Sequence, residues 1–201
     1  MIRTVIFDLG GVIVPLDFQT LYGRISERCA VPAEEIPHRI AATELVPLLE
    51  TGRMSGEEFT ERISESLGLV ATPEEFQFLW NSLFPPYTFI DEDLLARIKK
   101  RHRLLLLSNT NALHFERVVE SYPLLRQFDQ YVLSYKVGAL KPSPEIYQAA
   151  IASAGCAAEE CFFTDDIADY VDGARRAGID AVRFESQAQI AAELRARGVL
   201  E

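Results

Sequence analysis

The chain has 201 residues, room for one full domain and an insertion at roughly 100–200 residues per domain. Hydrophobic residues make up 48% and charged residues 25%, a globular composition that excludes a disordered or fibrous chain. Asp+Glu 30 against Lys+Arg 20 gives a formal net charge of −10, which repels phosphate backbones and anionic membrane surfaces, so neither nucleic acid nor a membrane is an expected partner.

The first element is Thr4-Val5-Ile6-Phe7, a short β-branched and apolar run that stops at Asp8. Such a run bounded by glycine predicts a strand buried on both faces. Residues 16–85 then break the pattern, with predicted helices at 18–29, 33–43, 55–67 and 73–83 and no strand-like run between them. Pro85-Pro86 marks the exit. From there strands and helices alternate. A helix over 91–101 precedes Leu104–Leu107, which ends at Ser108, and a helix over 111–121 follows. Tyr131–Leu133 ends at Ser134, and Ser143-Pro144-Glu145 opens a helix with a cap, a first-turn proline and an acidic residue. Cys161–Thr164 ends at Asp165, a helix over 167–177 is closed by Gly178, and Ile179–Phe184 precedes a last helix over 187–197. The alternation predicts an α/β fold, a Rossmann-like parallel sheet with helices on both faces. Its core would comprise residues 1–15 and 86–201, with residues 16–85 inserted as a small helical cap.

No apolar run is long enough to span a bilayer, and Arg3 interrupts the start of the chain before any signal-like segment. Cys29, Cys156 and Cys161 lack metal-type spacing and read as reduced thiols. Both features predict a cytoplasmic protein.

Ligands of parallel α/β sheets bind beyond the carboxyl ends of the strands. Here those ends carry Asp8, then Ser108-Asn109, then Lys141 a loop beyond Ser134, then Asp165-Asp166. Two carboxylates about 4 Å apart repel by roughly 4 kcal/mol at an effective dielectric of 20. Gathering Asp8, Asp165 and Asp166 around a phosphate dianion therefore requires a cation, and an all-oxygen donor set selects a hard one such as Mg²⁺. Lys141 would neutralise charge on a transferring phosphoryl group, while the Ser108 hydroxyl and Asn109 amide would donate hydrogen bonds to its oxygens. Asp8 is left to attack phosphorus and form an aspartyl-phosphate. The pattern predicts a phosphoryl-transfer site.

Four such motifs in this order resemble the haloacid dehalogenase superfamily over essentially the whole chain. Phe7-Asp8-Leu9-Gly10-Gly11-Val12 is similar to its first motif, Leu107-Ser108-Asn109-Thr110 to its second, Lys141-Pro142 to its third and Phe163-Thr164-Asp165-Asp166 to its fourth. Segments 108–114 and 141–147 resemble the branch that contains bacterial glucose-1-phosphate phosphatase. The resemblance implies Asp8 as nucleophile and metal ligand, Asp166 as a direct Mg²⁺ ligand, Asp165 as support for the metal shell, and the Gly10 carbonyl as a further ligand.

Gly10 departs from the pattern, because the superfamily usually places a second aspartate there as general acid and base. Its loss removes a contribution of about 10²–10⁴-fold, felt most with poor leaving groups. Tyr170 stands where related sequences often carry Asn, which leaves the role of Asp169 open. Two other readings follow from these residues: a weakly active protein that binds a phosphorylated partner, motivated by Gly10, and a metal-free 2-haloacid dehalogenase, which has no use for paired Asp165 and Asp166.

Outside the strand ends, His38 and His102 lack metal-type spacing, and His114, in the helix after Ser108-Asn109, reads first as a packing residue. Phe59, Trp80 and Phe84 have the helical spacing of core aromatics, with a substrate pocket as the alternative. The turn at 51–55 offers Arg53 as a contact to a substrate carboxylate or second phosphate. The oligomeric state is not legible.

Overall fold

The computed structural model describes all 201 residues. Five parallel strands, β1 (Thr4–Phe7), β2 (Arg103–Ser108), β3 (Gln130–Leu133), β4 (Cys161–Asp165) and β5 (Asp180–Arg183), form one sheet in the order β3-β2-β1-β4-β5. The chain builds outward from β1 through β2 to β3, then returns to β1's other side for β4 and β5. The reversal falls between β1 and β4, and such a switch point is where doubly wound sheets bind ligands.

Every inner strand feeds two cores. Val5, Phe7, Leu104, Leu106 and Phe162 pack on one face of the sheet, whereas Ile6, Leu105, Leu107, Cys161 and Phe163 pack on the other. This period of two, apolar on both faces, is why these segments read as uninterrupted hydrophobic runs. Helices α6 (Glu92–Lys99), α7 (Ala112–Ser121), α9 (Pro144–Ala154), α10 (Ala168–Arg176) and α11 (Gln187–Ala196) cover the sheet and lie where the sequence predicts them.

Between β1 and α6 lie α1 (Phe18–Ser26), α2 (Ile36–Ala42), α3 (Leu45–Glu50), α4 (Gly56–Leu67) and α5 (Pro73–Trp80), which continues into a 3₁₀ turn, Asn81–Leu83. They enclose a third cluster that includes Leu21, Ile36, Leu49, Phe59, Ile63, Phe76 and Trp80. Phe59 contacts Phe76 and Trp80 inside it, so this aromatic is core. The sequence reading misses α3, which spans only six residues, contains Pro47 and is entered through Glu44 at a left-handed φ of 55°. It also misses α8 (Ser134–Val137), a single turn after β3. Elements this short show no period to read. No helix of the structure is long and apolar enough to cross a membrane.

Candidate active site

The register fixes the site. Phe7 pairs with Thr164, so Asp8 and Asp165 leave adjacent strands side by side at the switch point. The Asp8 N–H donates to the Thr164 carbonyl at 3.0 Å, which holds the two strand ends together. Lys141 reaches in from the loop after α8, its Nζ 2.8 Å from Asp8 Oδ1 and 2.5 Å from Asp165 Oδ2. All three side chains are buried. Asp165 is fully engaged, since its Oδ1 accepts from the Ile167 N–H at 2.9 Å. Asp166 follows, half-buried against Gly11, which has a φ of +79° and where any Cβ would lie 2.6 Å from the Asp166 carboxyl carbon. A side chain at residue 11 would thus both strain the backbone and displace the carboxylate.

One carboxylate oxygen from each of Asp8, Asp165 and Asp166 can be chosen so that all lie within 4.8 Å of one another. Three carboxylates against one ammonium leave two negative charges in excess. The site shows that imbalance: burial pushes the Asp8 carboxyl up to about 7, with Asp165 adding to the rise and Lys141 opposing it. Burial, then the charge of Asp165, also raises Asp166. Burial alone would lower the Lys141 ammonium, but Asp8 and Asp165 outweigh it and raise Lys141 above its ordinary value, so it stays charged.

Ser108 is buried at the end of β2, its hydroxyl making only a 3.4 Å contact with the Asn109 carbonyl. Asn109 differs from the expectation that its amide faces a ligand. Its Oδ1 accepts from Lys141 N–H at 2.8 Å, and its Nδ2 donates to the Lys141 carbonyl at 3.1 Å and toward the Tyr170 hydroxyl at 3.5 Å. Clamped this way, the Asn109 side chain sets the position of the lysine rather than offering hydrogen bonds to an incoming oxygen. Tyr170, from α10, lies with its ring 5.1 Å from Lys141 Nζ, a cation–π contact over the same lysine. Asp169 is exposed on the first turn of α10 and turned away from this cluster's contacts.

A cavity of about 260 Å³ opens between the β1 and β2 ends and the inserted helices. Gly10, Ser108 and Asn109 form its floor, with Trp80, Phe84 and His114 among its walls. Trp80 and Phe84 are therefore both core and lining, whereas Phe59 is core alone. His114 stacks on Trp80 with centroids 5.5 Å apart and meets Phe84 edge-on. Its Nε2 lies 3.3 Å from the Trp80 carbonyl and its Nδ1 3.3 Å from Asn111 Nδ2, contacts that suit the neutral Nε2–H tautomer. Burial lowers its pKa to about 4. The packing role is the one the structure gives it, tying the inserted helices to α7. His38 is exposed and His102 lies at the opposite end of the sheet.

That burial has a consequence for stability. The unfolded chain takes up the His114 proton near 6.5 and the folded chain only near 4, so stability is complete above 6.5 and lost as pH falls toward 4. Between pH 7 and pH 5 this contributes about 2 kcal/mol. His114→Phe should make the pH 7 to pH 5 loss of denaturant stability smaller by about that amount. An unchanged pH slope would mean His114 is not buried neutral.

The turn after α3 does approach the sheet end: a Cβ on Gly52, φ +67°, would lie 2.3 Å from the Tyr135 carbonyl oxygen. Arg53, however, is exposed and does not line the cavity. Glu50, the last residue of α3, does.

A doubly wound sheet with a buried lysine and a carboxylate cluster at its switch point is the framework of an α/β enzyme. The sequence profile of the haloacid dehalogenase-like hydrolases matches residues 2–178, and the chain belongs to that family. It is 28% identical over 200 residues to a D-ribitol-5-phosphate phosphatase of Bacteroides thetaiotaomicron, covering 96% of this chain and 97% of the relative. A phosphatase of Mycobacterium tuberculosis is 27% identical over 194 residues, with 94% of this chain and 89% of the relative covered. The fold is similar to that of a haloacid dehalogenase family enzyme of B. thetaiotaomicron whose crystal structure holds magnesium and inorganic phosphate. The TM-score is 0.84 at 26% identity, over 92% of this chain and 96% of the other.

Proposed function

We propose that this chain is a Mg²⁺-dependent phosphatase of a small phosphorylated metabolite that works through an aspartyl-phosphate on Asp8. The observation that carries the reading is the charge-unbalanced cluster at the switch point, three carboxylates around one buried ammonium. An all-oxygen donor set with two negative charges in excess suits a hard divalent ion, so the residues fit Mg²⁺. Asp8, Asp166 and the Gly10 carbonyl would hold it, supported by Asp165, and the bound ion would offset charge on the phosphoryl oxygens. The relatives named as phosphatases, and the magnesium and phosphate in the similar crystal structure, support the same reading.

In this mechanism an Asp8 oxygen bonds phosphorus as the bond to the leaving-group oxygen breaks, and with Gly10 in place of a general acid the departing oxygen takes its proton from a water molecule. Lys141 and the Ser108 hydroxyl stabilise the phosphoryl oxygens. Water then adds to phosphorus, releasing inorganic phosphate and restoring the Asp8 carboxylate. Residues 16–85 act as the cap over residues 1–15 and 86–201, excluding bulk water from the cavity. The free thiols, with Cys156 Sγ and Cys161 Sγ unbonded at 3.6 Å, suit a reducing compartment such as the cytoplasm.

The test is phosphate release from p-nitrophenyl phosphate and a panel of sugar, polyol and acyl phosphates, with Mg²⁺ and with EDTA. Release that needs Mg²⁺ is expected. No release from any of them, or EDTA-resistant halide release from 2-chloropropionate, would overturn the proposal.

Gly10 makes a separate prediction. The three atoms nearest to a Cβ there are all Leu16 side-chain carbons, the closest at 3.0 Å, and Leu16 is itself 38% exposed, so its side chain has room to give way. Gly10→Asp should therefore fold and supply the missing acid. Its kcat gain should reach roughly 10²-fold for alkyl phosphates and stay small for p-nitrophenyl phosphate. An equal gain for both would show that leaving-group protonation is not what the glycine removes.

A further inference from the structure

The cavity over the proposed phosphoryl site contains one carboxylate and no cation. Its lining is otherwise apolar or neutral: His114 has both ring nitrogens engaged and is uncharged because burial lowers its pKa to about 4, and the remaining polar members are serine, threonine, asparagine and tyrosine. Arg53, the nearby cation of the same turn, is exposed outside the cavity. Lys141 sits beneath it, already bound to Asp8 and Asp165.

The carboxylate is Glu50. Packing holds it in place from both sides. Leu45 and Leu49 anchor α3 in the inserted core, and the Gly52 backbone rests against the Tyr135 carbonyl of the sheet domain so closely that no side chain fits between them. Glu50 is half-buried, burial raises its carboxyl to about 7 with the charge of Lys141 opposing the rise, and no protein hydrogen bond reaches it. A half-buried acceptor with no protein donor, fixed at a closely packed turn and lining a substrate-sized space, is the arrangement of a ligand contact.

We propose that Glu50 is the specificity-determining residue of this cavity, accepting hydrogen bonds from hydroxyls of a polyol-type leaving group and rejecting substrates with a second anionic group. This rests on the phosphatase reading above and goes beyond it by fixing the charge of the leaving group. A cavity of about 260 Å³ lies just under the roughly 300–1,000 Å³ typical of sites for drug-sized ligands, which suits a short polyol chain rather than a nucleoside. A hydrogen bond to a charged acceptor is worth about 1.5–3 kcal/mol, or roughly 10–150-fold in kcat/KM. An added carboxylate on the substrate would face Glu50, ionised above pH 7, across a lining that itself supplies no cation.

Erythritol 4-phosphate and 4-phosphoerythronate differ only by a terminal hydroxymethyl in place of a carboxylate, so their kcat/KM ratio reads this discrimination directly. At pH 8, where Glu50 is ionised, the parent enzyme with Mg²⁺ should favour the polyol phosphate by on the order of 10²-fold, and Glu50→Gln should reduce that ratio at least about tenfold. Taking the ratio within each protein cancels any change common to both substrates. A parent that hydrolyses the two equally overturns the inference, as does an unchanged ratio in both Glu50→Gln and Glu50→Ala. Either result leaves the phosphatase reading standing. A parent that releases phosphate from neither compound nor from p-nitrophenyl phosphate overturns both.

Discussion

Asp8→Asn should reduce Mg²⁺-dependent phosphate release by on the order of 10⁴-fold or more, the scale on which removal of a covalent nucleophile acts. The amide keeps the shape of the side chain but cannot form the acyl phosphate, so no other group in the cluster replaces it. Asp165 is occupied by Lys141 and the Ile167 N–H, and Asp166 is set back against Gly11. Loss of activity should come without loss of fold. Burial raises the Asp8 carboxyl to about 7 from an ordinary value near 3.8, so the folded chain binds this proton more tightly than the unfolded one. By linkage, Asp8 lowers stability progressively as pH rises from about 4 through 7 in the metal-free protein. Replacing it with Asn removes that penalty, and the variant should gain stability relative to the parent as pH rises through 7. Thermal melts in EDTA at pH 6 and pH 8, together with phosphate assays, check both halves. A variant that is folded and still turns over at the parent's rate would remove Asp8 from the chemistry.

The inner strands β1, β2 and β4 are legible because each is buried on both faces, which leaves an unbroken apolar run that ends at a polar residue. Their ends point to Asp8, Ser108, Asp165 and Asp166, whereas Lys141 comes from the loop beyond α8. What brings Asp8 beside Asp165 is the position of β1 between β2 and β4, a long-range fact that no local pattern encodes. Asn109 shows the limit of reading strand ends one at a time. Its polarity was visible, but its partner is the backbone of a residue 32 positions later, and that partner changes its role. Tyr170 was visible as a departure, yet its contact with Lys141 depends on how α10 packs. Glu50 gave no signal of its own, as one acid in a charged chain at the end of a helix too short to show a face. The signal nearby was the Thr51-Gly52 turn, where a close approach to the sheet domain demanded glycine. The turn approaches the sheet end, but its more conspicuous charge, Arg53, is exposed and does not line the cavity.

Lys141→Met should cost both activity and stability, and the two losses should be separable. Methionine is close in length and apolar, so the cavity it fills changes little while the charge disappears. Asp8 and Asp165 would then share a buried site with no cation between them. Breaking a buried pair by removing one partner typically costs about 3–5 kcal/mol, because the remaining charge is left uncompensated. Loss of Lys141 also removes the influence that holds Asp8 down, so the destabilisation should be greatest above pH 7 and shrink as pH falls and the carboxyls protonate. Mg²⁺ should restore part of the stability by occupying the same acidic cluster. Activity at saturating Mg²⁺ should remain about 10²–10³-fold below the parent, the usual cost of removing one preorganised donor from a developing oxyanion. Adding Asp165→Asn to Lys141→Met removes one of the two orphaned carboxylates and its repulsion on Asp8, which stays buried without a cation. The double variant should recover part of the lost stability and none of the lost rate, as read by denaturant midpoints and kcat. If the single variant instead melts with the parent in EDTA at pH 8, the ammonium is not what holds these carboxylates together, and their proximity must be sustained by the strand register alone.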